Sequence, residues 1–371
     1  MSNRTRSSSG TSLPHCTREA DRGVKLSPYV NLSPESPQLP YDSKEAKGLR
    51  GLNVHQGQRK LLMSEIQMLT IYYAKKTVHP WLVYVGSAPG THLIFLHQLF
   101  PHVRFSLWDG APFDTRLKDI KFDDGRPVFE LHREFFTDHT CGSILARIEK
   151  DHVDEKTTRN KAPGLVHQVG GGKTPLLFVS DIRSAEANRE VFEAKVMFDM
   201  LAQKRWVTLL RPDLSLLKFR LPFTLKEGDR VPYLDGKLFY GIWPRHESAE
   251  TRLLVKKSDI SKPEIQVDYV TYERVMFHHN AVIRRTCFDT NKAPMSEFSD
   301  LLVPGPGKSD IGYCKCYDCL SELCVYNTYL KDAAGNAQAR FSKGKLVDLL
   351  LAAQAANRDM SKHNSHSNLN D

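Results

Sequence analysis

An α/β fold built on a largely parallel, Rossmann-like sheet that finishes in antiparallel strands is predicted by three observations. Short apolar runs alternate with segments of helical period from residue 58 onward. A glycine turn, Gly86-Ser87-Ala88-Pro89-Gly90, links the first of those runs to the segment after it. The last apolar runs, LSLLKFRLPF, KLFYGIWP and TRLLVK, leave little room for helices between them, which favours antiparallel pairing.

Each element follows from its own pattern. QRKLLMSEIQMLTIYYAKK, from Gln58 to Lys76, carries a stripe of Leu61, Leu62, Ile66, Leu69 and Tyr73 and predicts an amphipathic helix. WLVYVG reads as a buried strand, HLIFLHQLF as the helix after the glycine turn, and VRFSLWD as a second strand ending at Asp109. LLFVSD, from Leu176 to Asp181, a helix near Arg189 to Gln203, and WVTLLRP read as a strand continue the rhythm. The polar, glycine-rich stretch 151–174 reads as an insertion loop. Its GGGKT is not a phosphate-binding P-loop, which needs a glycine where His167 stands.

A chain of 371 residues, 40% hydrophobic, is long enough for one sizeable core. No apolar run reaches membrane-spanning length and the MSNRTRSSSG start lacks an apolar signal stretch, so a cytoplasmic location is expected. The net charge of +9 favours an anionic partner, nucleic acid first, because lysines and arginines gain affinity by releasing counterions from phosphates. Of seven cysteines, four crowd into Cys314, Cys316, Cys319 and Cys324, unlike a secreted disulfide framework, and a reducing compartment is expected. The expected organisation is a Ser/Pro-rich, loosely packed or disordered segment 1–50, a main domain 51–300, an extension 301–356 with the cysteine cluster and a helix from about Lys343 to Ala356, and a disordered tail 357–371.

Two constellations carry chemistry. The glycine turn lets backbone approach a ligand at a helix N-terminus, and Asp109, 19 residues after Gly90, sits where an acid holds ribose hydroxyls. The third glycine of a dinucleotide fingerprint is missing, which favours a mononucleoside such as S-adenosylmethionine over a nicotinamide dinucleotide. The second constellation is Asp181 closing LLFVSD, Lys218 inside an apolar strand, and Glu250 before TRLLV. A lysine in a strand core is costly unless paired or functional. With Lys60 on the early helix, two ammonium groups and two carboxylates are expected to meet at the carboxyl end of the sheet.

YVGSAPGTH at Tyr84 to His92, VSDIRS at Val179 to Ser184, LKFRLPF and SAETRLL at Ser248 to Leu254 together resemble, in order and spacing, the poxvirus cap-specific mRNA 2'-O-methyltransferases, which also serve as the small subunit of viral poly(A) polymerase. The resemblance runs from about Gln58 to Arg285, interrupted by 151–174. It implies a methyltransferase of Rossmann-like fold with a catalytic tetrad on Lys60, Asp181, Lys218 and Glu250 and S-adenosylmethionine held by Gln58, Tyr84, Gly86, Gly90, His92, Asp109 and Phe136. Lys218 is then the general base for a ribose 2'-hydroxyl; the Lys60 charge and desolvation favour its neutral form, while the carboxylates pull the other way. The implied partners are capped mRNA and a viral poly(A) polymerase catalytic subunit, with no membrane, in host cytoplasm or the virion. Alternatives are a non-catalytic RNA-binding processivity subunit of such a polymerase and a 2'-O-methyltransferase of uncapped RNA.

The resemblance further places cap and RNA recognition on Arg220, Phe223 and Glu273, with Tyr29 or Tyr41 as the second stacking ring on a cationic methylated guanine. Leu225, Glu247 and Ala111 stand where the family has an acid, a tyrosine and an arginine. Beyond the matched region, Cys314, Cys316, Cys319 and Cys324 read as reduced loop cysteines, with a zinc site as the second reading, since four thiols so close in sequence strain a tetrahedral knuckle.

Overall fold

The computed structural model describes residues 18–19, 26–50, 57–74, 78–161, 174–184, 186–289, 298, 301, 313–332 and 343–367. In chain order the elements are β1 (Arg18–Glu19), β2 (Tyr29–Val30), α1 (Ser43–Arg50), α2 (Gly57–Tyr73), β3 (Trp81–Val85), α3 (Leu93–Leu99), β4 (Arg104–Trp108), β5 (Phe129–His132), α4 (Asp138–Lys161), β6 (Leu176–Ser180), α5 (Arg189–Leu210), β7 (Leu214–Phe219), β8 (Arg230–Tyr233), β9 (Lys237–Tyr240), β10 (Thr251–Lys256), β11 (Ile265–Asp268), α6 (Tyr269–Ala281), β12 (Thr286–Cys287), α7 (Tyr317–Asp332) and α8 (Lys343–Ser367).

Eight strands make one sheet in the order β2-β9-β10-β7-β6-β3-β4-β5. Pairings from β5 through β7 are parallel, and β7 to β10, β10 to β9 and β9 to β2 are antiparallel, as the helix-poor final runs predict. Strand alternation splits the core into two layers. Leu82 and Tyr84 of β3 join Leu62, Ile66 and Leu69 of α2 and Leu320 and Leu323 of α7. Trp81, Val83 and Val85 face Val196, Met200 and Val207 of α5 and Tyr272 and Val275 of α6. Parallel strands buried on both faces need this sandwiching, and it explains why β3 and β6 are unbroken apolar runs. From β3 the chain first crosses to β4 on one side and later returns to β6 on the other. Their carboxyl ends therefore flank the crevice where such sheets bind ligands.

The structure departs from the sequence expectation in four places. WVTLL is the end of α5, not a strand; the helix stops at Arg211, which takes a left-handed φ of 48°, and the strand begins at Leu214. Residues 26–50 are folded onto the body: β2 adds to the sheet edge, the Leu39 N–H donates to the Arg274 carbonyl at 3.2 Å, and Val30 and Ala46 are buried. Two or three apolar anchors suffice there, and a Ser/Pro-rich composition hides them. The first half of the expected insertion continues α4 as far as Lys161, while GGGKT lies outside the described residues. The expected tail is helical to Ser367, with Met360 buried, because extending an existing helix costs far less than starting one. Among the described residues no helix is long and apolar enough to cross a membrane.

Candidate active site

The glycine turn leaves β3 with Gly86 and Gly90 at φ of +74° and +71°, conformations that side chains resist. At Gly86 a Cβ would stand 2.8 Å from the Ile182 backbone nitrogen, so only glycine lets the turn pass the end of β6. Asp109, one residue beyond β4, ties the turn down: Oδ2 accepts from the Ala88 N–H at 3.0 Å and Oδ1 from the Ala111 N–H at 2.9 Å. Each oxygen keeps a lone pair for hydroxyl donors. From the start of α2, Gln58 reaches the same turn, its Oε1 accepting from Thr91 Oγ1 at 3.1 Å and lying 2.7 Å from His92 Nδ1. His92 is fully buried and its Nε2 lies 3.0 Å from Glu65 Oε1. It therefore orients Gln58 from behind the crevice.

Of the expected cofactor residues, Gln58, Gly86 and Asp109 are partly exposed at the glycine turn, while Gly90 and the side chains of Tyr84 and His92 are buried. Phe136 is turned into the core, 6% exposed against Trp108, Phe178 and Trp206. Its neighbour Phe135 is 84% exposed, with its ring against Gly110 beside Asp109. Of the two adjacent phenylalanines, it is Phe135 whose ring is presented to the open face.

The four predicted charges converge. Lys60 Nζ lies 2.5 Å from Glu250 Oε1; Lys218 Nζ lies 3.1 Å from Asp181 Oδ1 and 3.5 Å from Glu250 Oε2. Topology brings them together: Asp181 directly follows the end of β6, β7 carries Lys218 near its end, and β10 runs antiparallel to β7 so that its start lies at the same edge. In that register Arg252 pairs directly with Lys218. Arg252 is a fifth member that the sequence reading missed: its guanidinium bonds Asp181 Oδ1 at 2.6 Å and lies 3.2 Å from Glu250 Oε1. Three cations thus share two carboxylates. Burial alone would raise the Glu250 carboxyl, but Lys218, Lys60 and Arg252 hold it well below the usual range. Asp181 is lowered in the same way, with Lys218 and Arg252 outweighing burial. For Lys60, burial is the largest influence and Arg252 adds to it, so its ammonium is easier to deprotonate than an ordinary lysine despite Glu250. Arg183 stands nearby, and burial weakens its hold on its proton; neither terminal guanidinium nitrogen has a hydrogen-bond partner among the described residues.

Phe223 is 42% exposed, and its face carries the Arg220 guanidinium 4.3 Å from the ring centre. Arg220 is buried and paired with Glu193 at 2.9 Å, and Glu193 also accepts from the Phe223 N–H at 2.8 Å. Arg220 therefore supports the ring from below instead of reaching outward. Glu273 accepts from Tyr269 Oη at 2.9 Å on α6. Tyr41 packs on Phe277, one turn along α6 from Glu273, whereas Tyr29 packs on Phe239 at the sheet edge. Leu225 packs against the apolar layer beneath α5 and α6. Cys314, Cys316 and Cys319 cluster before and within the first turn of α7, and Cys324 stands apart from them.

A parallel sheet with a switch-point crevice, a glycine turn, a strand-end acid and antiparallel closing strands defines the Rossmann-like methyltransferase class. The poly A polymerase regulatory subunit family matches residues 26–161 and 164–299, and the chain belongs to that family. It is 30% identical over 239 residues, 62% of this chain and 68% of the relative, to the cap-specific mRNA (nucleoside-2'-O-)-methyltransferase of fowlpox virus (strain NVSL). It is 26% identical over 267 residues to the protein of that name from myxoma virus (strain Lausanne), covering 69% of this chain and 70% of the relative.

Proposed function

We propose that the chain methylates the ribose 2'-hydroxyl of the nucleotide next to an mRNA cap, with S-adenosylmethionine as donor. The observation that carries the reading is the single cluster of Lys60, Asp181, Lys218, Glu250 and Arg252 at the sheet edge, beside the turn held by Asp109. The donor set suits the cofactor: a carboxylate for ribose hydroxyls, backbone N–H groups, an amide at Gln58, and the exposed Phe135 ring to cover a base. When bound, S-adenosylmethionine supplies a methyl group activated by a sulfonium.

The protein's part is to place the hydroxyl and take its proton, because a sugar hydroxyl is a poor nucleophile until the proton leaves. Lys218 Nζ is the acceptor, at the end of β7 between the two carboxylates. Asp181 and Glu250 fix its position, and Lys60 and Arg252 are held on the same two carboxylates. Phe223 and Tyr41 stack the methylated guanine, and Glu273 pairs with its edge. The net charge of +9 serves RNA affinity. The family description supports a second role on the same chain, binding a poly(A) polymerase catalytic subunit, and we place both roles in infected-cell cytoplasm and the virion.

Labelled methyl transfer to a capped RNA and to the same RNA uncapped tests the reading. Transfer to the capped RNA alone, abolished in Lys218→Ala with RNA affinity retained, is expected. Equal labelling of both RNAs would remove the cap from the function, and unchanged turnover in the variant would remove Lys218 as base.

A further inference from the structure

We infer that Cys314, Cys316 and Cys319 form a binding site for one zinc ion that fastens the C-terminal helices to the rest of the fold. The three sulfur atoms lie within 4.8 Å of one another, and the Cys314 and Cys319 sulfurs are 3.6 Å apart. Zinc–thiolate bonds of about 2.3 Å at the tetrahedral angle place sulfurs about 3.8 Å apart, so the Cys314–Cys319 pair already has the spacing and the third sulfur needs to move by at most about 1 Å. No disulfide joins the three. Thiolates select soft or borderline ions, and three of them leave one tetrahedral position for an exchangeable ligand.

The backbone around them is held firmly, as a built site requires. The Cys316 carbonyl accepts the Leu320 N–H at 3.1 Å and opens α7, and the Lys315 carbonyl accepts the Phe288 N–H at 2.9 Å. Cys316 and Cys319 are almost wholly buried, and the N-terminal end of α7 favours the negative charge that thiolates bring. Cys324, two turns into the helix, is outside the cluster, which turns the four-thiol grouping suggested by spacing into a three-thiol set.

The position gives the ion a structural task. Next to the thiols, Asp318 accepts from the Trp243 N–H at 2.8 Å and pairs with Arg284 at 2.8 Å. One turn further, Glu322 pairs with Arg59, the neighbour of Lys60, and accepts from Trp243 Nε1 at 2.8 Å. An ion holding the start of α7 thereby steadies the start of α2.

The test is elemental analysis of the full chain, expressed in zinc-supplemented medium and purified under reductant, with the same measurement on Cys316→Ser, Cys314→Ser, Cys324→Ser and Cys141→Ser. Wild type, Cys324→Ser and Cys141→Ser are expected to hold one zinc per chain, and the other two below about a tenth of that. Cobalt added to the metal-free chain should give sulfur-to-metal charge-transfer absorption that the Cys314 and Cys316 variants lack. Cys314 is only half-buried, so its serine variant remains informative if Cys316→Ser does not fold. A folded wild-type chain that stays metal-free in excess zinc, that holds copper instead, or that carries a disulfide within the cluster would overturn the inference. Loss of zinc from Cys324→Ser would overturn the three-thiol set.

Discussion

Replacing Arg252 with methionine keeps the unbranched stem of the side chain and removes the charge that links Asp181 to Glu250. Arg252 and Lys60 both contact Glu250 Oε1, at 3.2 and 2.5 Å, and Arg252 and Lys218 both contact Asp181 Oδ1, at 2.6 and 3.1 Å. The guanidinium therefore stands within about 6 Å of both lysine nitrogens, where like charges repel by about 3 kcal/mol at an effective dielectric of about 20. Removing it lets the Lys60 ammonium keep its proton to higher pH, since Arg252 is one of the charges that lower it. If the reaction needs a neutral amine, the acid limb of the kcat profile should move upward in Arg252→Met. Loss of the charge-assisted bond to Asp181, about 1.5–3 kcal/mol, should also lower kcat about ten- to a hundredfold at the optimum. Single-turnover methyl transfer across pH with saturating donor measures both. An acid limb that stays in place while kcat falls would refute the electrostatic role, leaving Arg252 a packing residue.

Three further outcomes follow from the same geometry. Phe135→Ala should weaken S-adenosylmethionine binding by isothermal titration with little change in Tm, whereas Phe136→Ala should lose about 3–5 kcal/mol of stability from a core cavity; the reverse pattern would restore Phe136 to the crevice. Gly86→Ala forces a side chain into a positive φ and against the Asp181–Ile182 backbone, costing at least about 1–3 kcal/mol, and should abolish donor binding by the same titration. Burial, with Arg284, His278 and His246 beside it, holds the His279 imidazole well below its ordinary value of 6.5. Only the unfolded chain gains that proton as pH falls through about 6.5, so the protein loses stability toward pH 5, and His279→Phe, which keeps a ring against Tyr240, should flatten the slope of Tm against pH.

Much of the site was legible because its residues break local rules. Lys218 stands out as an ammonium inside an apolar strand, and Gly86 with Asp109 declares a turn and an acid at a distance that one strand–helix–strand unit sets. Arg252 was missed because an arginine second in TRLLVK reads as a strand end facing water; only the antiparallel register opposite Lys218 reveals that it faces Asp181. The choice between Phe135 and Phe136 is a one-residue question of direction, which period alone does not answer. WVTLL misled because β-branched and aromatic residues favour strands, while Trp206, Val207 and Leu210 in fact bury a helical face. The packing of residues 26–50 on the body depends on a handful of contacts with distant α6, to which local composition is blind.

The grip of Glu322 on Arg59 has a practical consequence for how this protein is divided. The family match stops at residue 299, so a fragment cut there would contain every motif that defines the crevice. It would nevertheless leave a guanidinium and an indole N–H stripped of their acid, directly beside the lysine that meets Glu250. Boundaries drawn from shared motifs would thus yield a piece with all the chemistry spelled out and no firm seat for one of its lysines.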